Sequence, residues 1–176
     1  VSEGTVRVSR WERGTRVEGD RWTAFFSRDG FLSRYCTDGR ELLAEGASLR
    51  PQFWRAPTEN DLGAKLDRKL AVWKNPELKL TKFDAGVKDG VAVVEALYEL
   101  PAVKATLALT YRINGAGEME VTERMTAGKS AKVPNLLRYG MTLTMPARYD
   151  RVIYYGRGEH ENYADRLSSA DLGLYE

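Results

Sequence analysis

Hydrophobic and polar residues alternate with a period of two along most of the chain. The run from Lys104 to Ile113 is the clearest case. Ala105, Leu107, Leu109, Tyr111 and Ile113 fall on one face, and Lys104, Thr106, Ala108, Thr110 and Arg112 on the other. Successive side chains of a strand point to opposite faces, so this run reads as a half-buried strand. Asn114-Gly115-Ala116-Gly117 follows, and Asn-Gly favours a tight turn because both residues tolerate positive φ. Met119, Val121 and Met125 then alternate with Glu118, Glu120, Thr122 and Arg124, so residues 104–125 read as a hairpin.

The same pattern predicts further strands over Thr5–Trp11, Arg21–Ser27, Phe31–Tyr35, Glu77–Asp84, Val91–Leu100, Arg138–Met145 and Arg151–Tyr155. Arg28-Asp29-Gly30 and Val87-Lys88-Asp89-Gly90 supply two of the turns. In Arg138–Met145 the apolar face is Tyr139, Met141, Leu143 and Met145. Turn signals recur about every 8–12 residues, as they do in sandwiches and barrels. One segment departs from the pattern. Leu62, Leu66, Leu70 and Trp73 recur at helical spacing, which predicts a short amphipathic helix near 64–73 with Asn60 or Asp61 as its cap. No Pro/Gly/Ser linker divides the chain. The expectation is an antiparallel all-β fold with one short helix, residues 1–176 forming one unit.

Composition narrows the class. With 176 residues, 43% hydrophobic and 30% charged, the chain can bury one core. Its 27 Lys and Arg against 25 Asp and Glu give a net charge of +2. That near balance argues against nucleic acid or an anionic membrane as a partner, since both select a basic excess. A lone cysteine, Cys36, excludes an internal disulfide framework and a cysteine metal cluster. No apolar run reaches the ~18 residues of a membrane-spanning helix. The chain starts with Val1 and carries no basic-then-apolar signal segment, which suggests a piece of a longer protein.

Candidate chemistry is sparse. A Ser-His-Asp or Cys-His site needs a histidine, and His160 is the only one. Cys36, at the end of a predicted strand, reads as a buried, inert thiol. Gly156-Arg157-Gly158-Glu159 lacks the third glycine, the Lys-Ser/Thr and the helix of a phosphate loop, and reads as a turn. His160-Glu161 lacks the second histidine of a zinc motif, so no metal or other cofactor is expected. Paired carboxylates could support glycoside hydrolysis, where retaining enzymes hold them about 5–5.5 Å apart. Glu59 with Asp61 and Glu159 with Glu161 alternate on presumed loops, but spacing alone promotes neither pair, since 25 acidic residues make such coincidences expected. Two segments combine aromatic residues with dense polar groups: Arg50 to Gly63 and Tyr154 to Arg166. Aromatic faces pack on the C–H faces of sugars while planar polar groups take hydroxyls. On residue chemistry alone, the alternative is that Arg55 and Arg157 pair with local carboxylates and the aromatics fill core or interface.

Phe53-Trp54-Arg55-Ala56-Pro57-Thr58-Glu59-Asn60-Asp61-Leu62-Gly63 resembles the Phe-Trp-Arg-Ala-Pro-Thr-Asp-Asn-Asp signature in the C-terminal domain of glycoside hydrolase family 2 β-galactosidases. Tyr155-Gly156-Arg157-Gly158-Glu159-His160-Glu161-Asn162-Tyr163-Ala164-Asp165-Arg166 resembles the Gly-x-Gly-Pro-x-Glu-Asn-Tyr-x-Asp-Arg signature of the same domain, with Glu159 where the family has Pro. Tyr111-Arg112-Ile113-Asn114-Gly115 and the run from Pro134 to Met141 lie where the family has similar strands. The resemblance covers nearly the whole chain, with the two signatures in the family's order.

This resemblance implies a two-sheet sandwich of the galactose mutarotase-like supersandwich type, of which residues 1–176 would be roughly the N-terminal two-thirds. It implies a parent enzyme that hydrolyses terminal β-galactosides with retention, using two glutamates on a separate (β/α)8 barrel. The 176-residue chain would then carry no catalytic residue and be inactive alone. It would pack on the barrel and other domains of the parent and help wall the galactoside pocket. The substrate-pocket candidates are Arg55, Glu59, Asn60 and Asp61 from the first signature, and His160, Glu161 and Asn162 from the second. A stand-alone carbohydrate-binding module and a mutarotase-like epimerase are the alternatives. Because the family domain continues beyond Glu176, exposed edges and self-association are also expected. A bacterial cytoplasm or periplasm both suit a single cysteine.

Overall fold

The structure, a computed structural model, describes residues 4–129, 132–160 and 166–176. They divide into two compact units, Val1–Met145 and Pro146–Glu176.

The first unit begins with an antiparallel five-stranded meander: β1 (Arg7–Trp11), β2 (Gly14–Glu18), β3 (Trp22–Ser27), β4 (Leu32–Thr37) and β5 (Arg40–Glu41). After β6 (Arg50–Gln52) and the helical turns comes a second antiparallel sheet, in the order β10-β9-β8-β7. Its strands are β7 (Lys79–Lys88), β8 (Val91–Leu100), β9 (Ala105–Ile113) and β10 (Met119–Ala127). β11 (Gly140–Thr142) pairs with β6 in a small two-stranded sheet. The expected all-β antiparallel sandwich is therefore what the chain forms.

The alternation reads directly as burial. Ala105, Leu107, Leu109, Tyr111 and Ile113 of β9 are buried, as are Ala92, Val94, Ala96, Tyr98 and Leu100 of β8. These side chains meet Val17, Trp22, Ala24 and Phe26 of the first sheet in one hydrophobic cluster. Aromatic contacts tie the layers. Phe26 meets Tyr111 edge-on at 4.9 Å, and Phe31 stacks on Tyr98 at 4.9 Å. The turn between β9 and β10 also locks onto the first sheet, since Trp22 Nε1 donates to the Gly115 carbonyl at 3.0 Å. At Gly117 (φ +88°) a Cβ would lie 2.8 Å from the Trp22 ring, so both backbone and packing require glycine there.

Several predicted elements shift. β7 runs on to Lys88, because Asp89 and Gly90 both take positive φ and close a two-residue hairpin. The expected helix at 64–73 is three short pieces: α1 (Glu59–Gly63), α2 (Leu66–Lys69) and a 3-10 turn at Ala71–Trp73. Lys65 takes a left-handed conformation (φ 59°) and interrupts the axis. Leu62 consequently points to solvent, 52% exposed, while Leu70 and Trp73 are buried. Of Arg138–Met145 only Gly140–Thr142 is a strand, and Tyr139, Leu143 and Met145 are exposed. Among the described residues its ladder partner is the three-residue β6.

The second unit is a hairpin. β12 (Tyr154–Gly158) pairs antiparallel with β13 (Asp171–Tyr175), three residues downstream of the expected strand start. Tyr154 stacks on Tyr175 at 5.4 Å over the glycines of both strands. The opposite face presents Tyr155, Leu172 and Leu174, all largely exposed.

Candidate functional site

The first signature segment leaves β6 and enters α1 through Trp54 to Thr58. Phe53 anchors it, fully buried against the Trp73 ring at 5.6 Å. Thr58 is the N-cap in extended conformation, and its hydroxyl accepts from the Asp61 backbone N–H at 3.3 Å. The Asp61 carboxylate reaches back to accept the Thr58 N–H at 2.8 Å. This reciprocal pair is a capping box with aspartate in the third helical position. Arg55 Nη1 donates to the same carboxylate oxygen at 2.6 Å and to the Ala56 carbonyl at 3.0 Å.

The electrostatics follow. Asp61 is buried, yet its carboxyl is held down to about 2, first by the Arg55 hydrogen bond and then by the Thr58 N–H. It stays ionised near neutral pH, with Oδ2 accepting from both donors, so it serves as a brace and not as a proton donor. Arg55 is half-buried, tied between this carboxylate and the main chain. Glu59 and Asn60, the first two helical residues, are exposed. The local pairing of Arg55 that residue chemistry left open is thus present, and it holds Glu59 and Asn60 in a defined turn.

His160 follows β12 in the second unit. It is exposed, and its Nε2 lies 3.0 Å from the Ser169 hydroxyl, which donates to the Arg166 carbonyl at 2.8 Å. Arg157 Nη1 donates to the carbonyls of Ala170 (2.7 Å) and Leu167 (3.3 Å), closing the loop between β12 and β13. Glu161 and Asn162 lie outside the described residues. The structure therefore brings Arg55, Glu59, Asn60 and Asp61 onto one turn and places His160 on a separate hairpin loop. Thr58 was missed as the cap, although Thr-x-x-Asp at 58–61 carries the spacing of a capping box. Among the described residues, no group of three or more His, Cys, Asp or Glu is placed to hold a metal ion. Among them too, no helix is long and apolar enough to cross a membrane.

The family model for the β-galactosidase small chain matches residues 18–176, which include the capped turn and the hairpin loop. The chain belongs to this family. Among proteins named β-galactosidase, it is 36% identical over 175 residues to one from Priestia megaterium, covering 97% of this chain and 16% of that protein. To one from Lactobacillus delbrueckii subsp. bulgaricus it is 35% identical over 164 residues, covering 91% and 16%. To one from Clostridium acetobutylicum it is 28% identical over 179 residues, covering 99% and 20%. The chain thus spans a fifth or less of the length of these relatives, while nearly all of it is matched.

Proposed function

We propose that this chain is a non-catalytic portion of a larger β-galactosidase, packing on a catalytic barrel and contributing to the wall of the galactoside pocket. The observation that carries this reading is the match of nearly the whole chain to a small part of proteins named β-galactosidase. The residues of the first signature support it. A retaining glycosidase needs one carboxylic acid to protonate the leaving group and one nucleophilic carboxylate. Asp61 does not suit the acid role, because Arg55 and the Thr58 N–H hold it ionised, and the bonds both make to its Oδ2 tie it into the turn as a brace. The capped turn suits a positioning role instead. It presents Glu59 and Asn60, an acceptor and an amide, at fixed spacing toward sugar hydroxyls supplied by the parent's pocket. His160, Glu161 and Asn162 would contribute in the same way from the second signature.

The test is kinetic, in the full-length β-galactosidase that carries this chain. Replacing Asn60 with Ala removes a hydroxyl partner without touching the Arg55–Asp61 brace. KM for a nitrophenyl β-galactoside should rise several-fold, with kcat within about twofold and thermal stability unchanged. Unchanged KM and kcat would remove Asn60 from the pocket.

A further inference from the structure

The outward face of the first sheet carries a second feature, unconnected with either signature. On the four-stranded sheet the outward positions of β9 are mostly polar (Thr106, Thr110 and Arg112), while β8 turns Val91, Val93 and Leu97 outward, all half-buried. On the five-stranded sheet the antiparallel register instead lines up Arg16 of β2, Phe25 of β3 and Arg34 of β4 side by side. Together with Trp11, Thr23 and Cys36 they line a groove of about 340 Å³. That volume lies at the small end of ligand sites, which run ~300–1,000 Å³.

Trp11 is 58% exposed, a large apolar surface open to solvent among the described residues. It is nonetheless oriented, because its Nε1 donates to Ser9 Oγ at 3.0 Å. A second ring, Phe25, is half-buried in the groove. The two guanidinium groups are likewise fixed. Arg34 donates Nε to Glu41 at 2.7 Å and also uses Nη2 there, and Arg16 Nη2 meets Glu18 at 2.6 Å. Arg34 has Glu41 to itself, whereas Arg16 shares Glu18 with Arg7, so the carboxylates offset most but not all of the positive charge. The site offers oriented planar donors, a threonine hydroxyl and two aromatic faces. An oriented indole can stack on a C–H face, and fixed guanidinium planes can donate to neighbouring hydroxyls.

We propose that this groove is a carbohydrate-binding site for one or two neutral pyranose rings. A sugar ring lies on Trp11, and Arg16 and Arg34 donate to its hydroxyls. The site would hold sugar near the protein and take no part in chemistry. It rests on the proposed function only for the choice of galactosides as first ligands.

The experiment labels the protein with 5-fluorotryptophan and follows fluorine NMR. The four tryptophans, Trp11, Trp22, Trp54 and Trp73, give four resonances, and Trp11→Phe assigns the one of interest. Methyl β-galactoside and lactose should move the Trp11 resonance saturably in the millimolar range, while the buried Trp22 and Trp73 stay still. Arg34→Ala, at an exposed position, should leave the spectrum dispersed and weaken binding about tenfold, the loss of one charge-assisted hydrogen bond. A Trp11 resonance that stays fixed, or drifts linearly without saturating, overturns the proposal. So does a response to benzoate but not to sugars, which would mark the groove as an anion site. Movement confined to Trp54 would overturn it too, while favouring the first signature turn as the sugar contact. Failure at Trp11 leaves the kinetic test of Asn60 untouched, so the two readings fail separately.

Discussion

Asp61 is a buried carboxylate that the fold keeps charged, and Glu123 is one that it penalises. Lowering Asp61 from 3.8 to about 2 means the unfolded chain binds its proton first as pH falls. The stabilisation is complete above about pH 4 and is lost as pH drops through about 2. Asp61→Asn should therefore melt lower than the native protein at pH 7, with the two melting curves converging near pH 2. Thr58→Ala should cost about 1 kcal/mol in urea unfolding, the usual value of an N-cap. Glu123 sits opposite Leu109 on the core-facing side of β10, between Val121 and Met125. Its Oε1 is buried without a hydrogen-bond partner among the described residues, and burial pushes the group from 4.5 up to about 7. Here the native state holds the proton longer, so stability falls as pH rises from about 4.5 through 7. Glu123→Gln should flatten that fall and add about 1–2 kcal/mol at pH 8, after discounting for solvent screening. A variant with the native slope would show that Glu123 is solvated. The alternation across 119–125 marks this residue's face, since 121, 123 and 125 share a parity. It does not signal that a glutamate would be left without a partner.

Elements with long, regular alternation were the legible ones. β8, β9 and β10 each offer nine or ten residues whose face is set by parity, and slipping one residue would turn the apolar set to solvent. The sequence pattern does not mark β2 and β13, because each has only five residues, with glycine, arginine or aspartate breaking the alternation. β5 and β6 are two and three residues long and exist through their partners alone. The leucine spacing at 62–73 misled because helical periodicity presumes one continuous axis, and Lys65 breaks it. The first signature's residues were identifiable from motif and order, but the Thr58–Asp61–Arg55 bonding required coordinates. Phe26 is one of the contacts that couple the two large sheets, touching Tyr111 and lying 6.3 Å from Phe83. Phe26→Ala should cost about 3–5 kcal/mol in denaturant unfolding, enough to threaten folding of the first unit. A loss below about 1 kcal/mol would mean that the layers are held elsewhere.

For the molecule as a whole, two facts combine. Nearly all of the chain matches the β-galactosidase small-chain family, and it corresponds to a fifth or less of relatives with that activity in their names. The carboxylate most firmly placed in the candidate site, Asp61, is used as a brace. Apolar side chains at Tyr155, Leu172 and Leu174 stand exposed on the second unit's hairpin. These features support the proposal of a part that works inside a larger enzyme, with hydrolysis performed elsewhere. The purified 176-residue chain should therefore release nitrophenol from a nitrophenyl β-galactoside no faster than buffer does. Robust turnover by this chain, abolished by Glu59→Gln, would contradict a non-catalytic role.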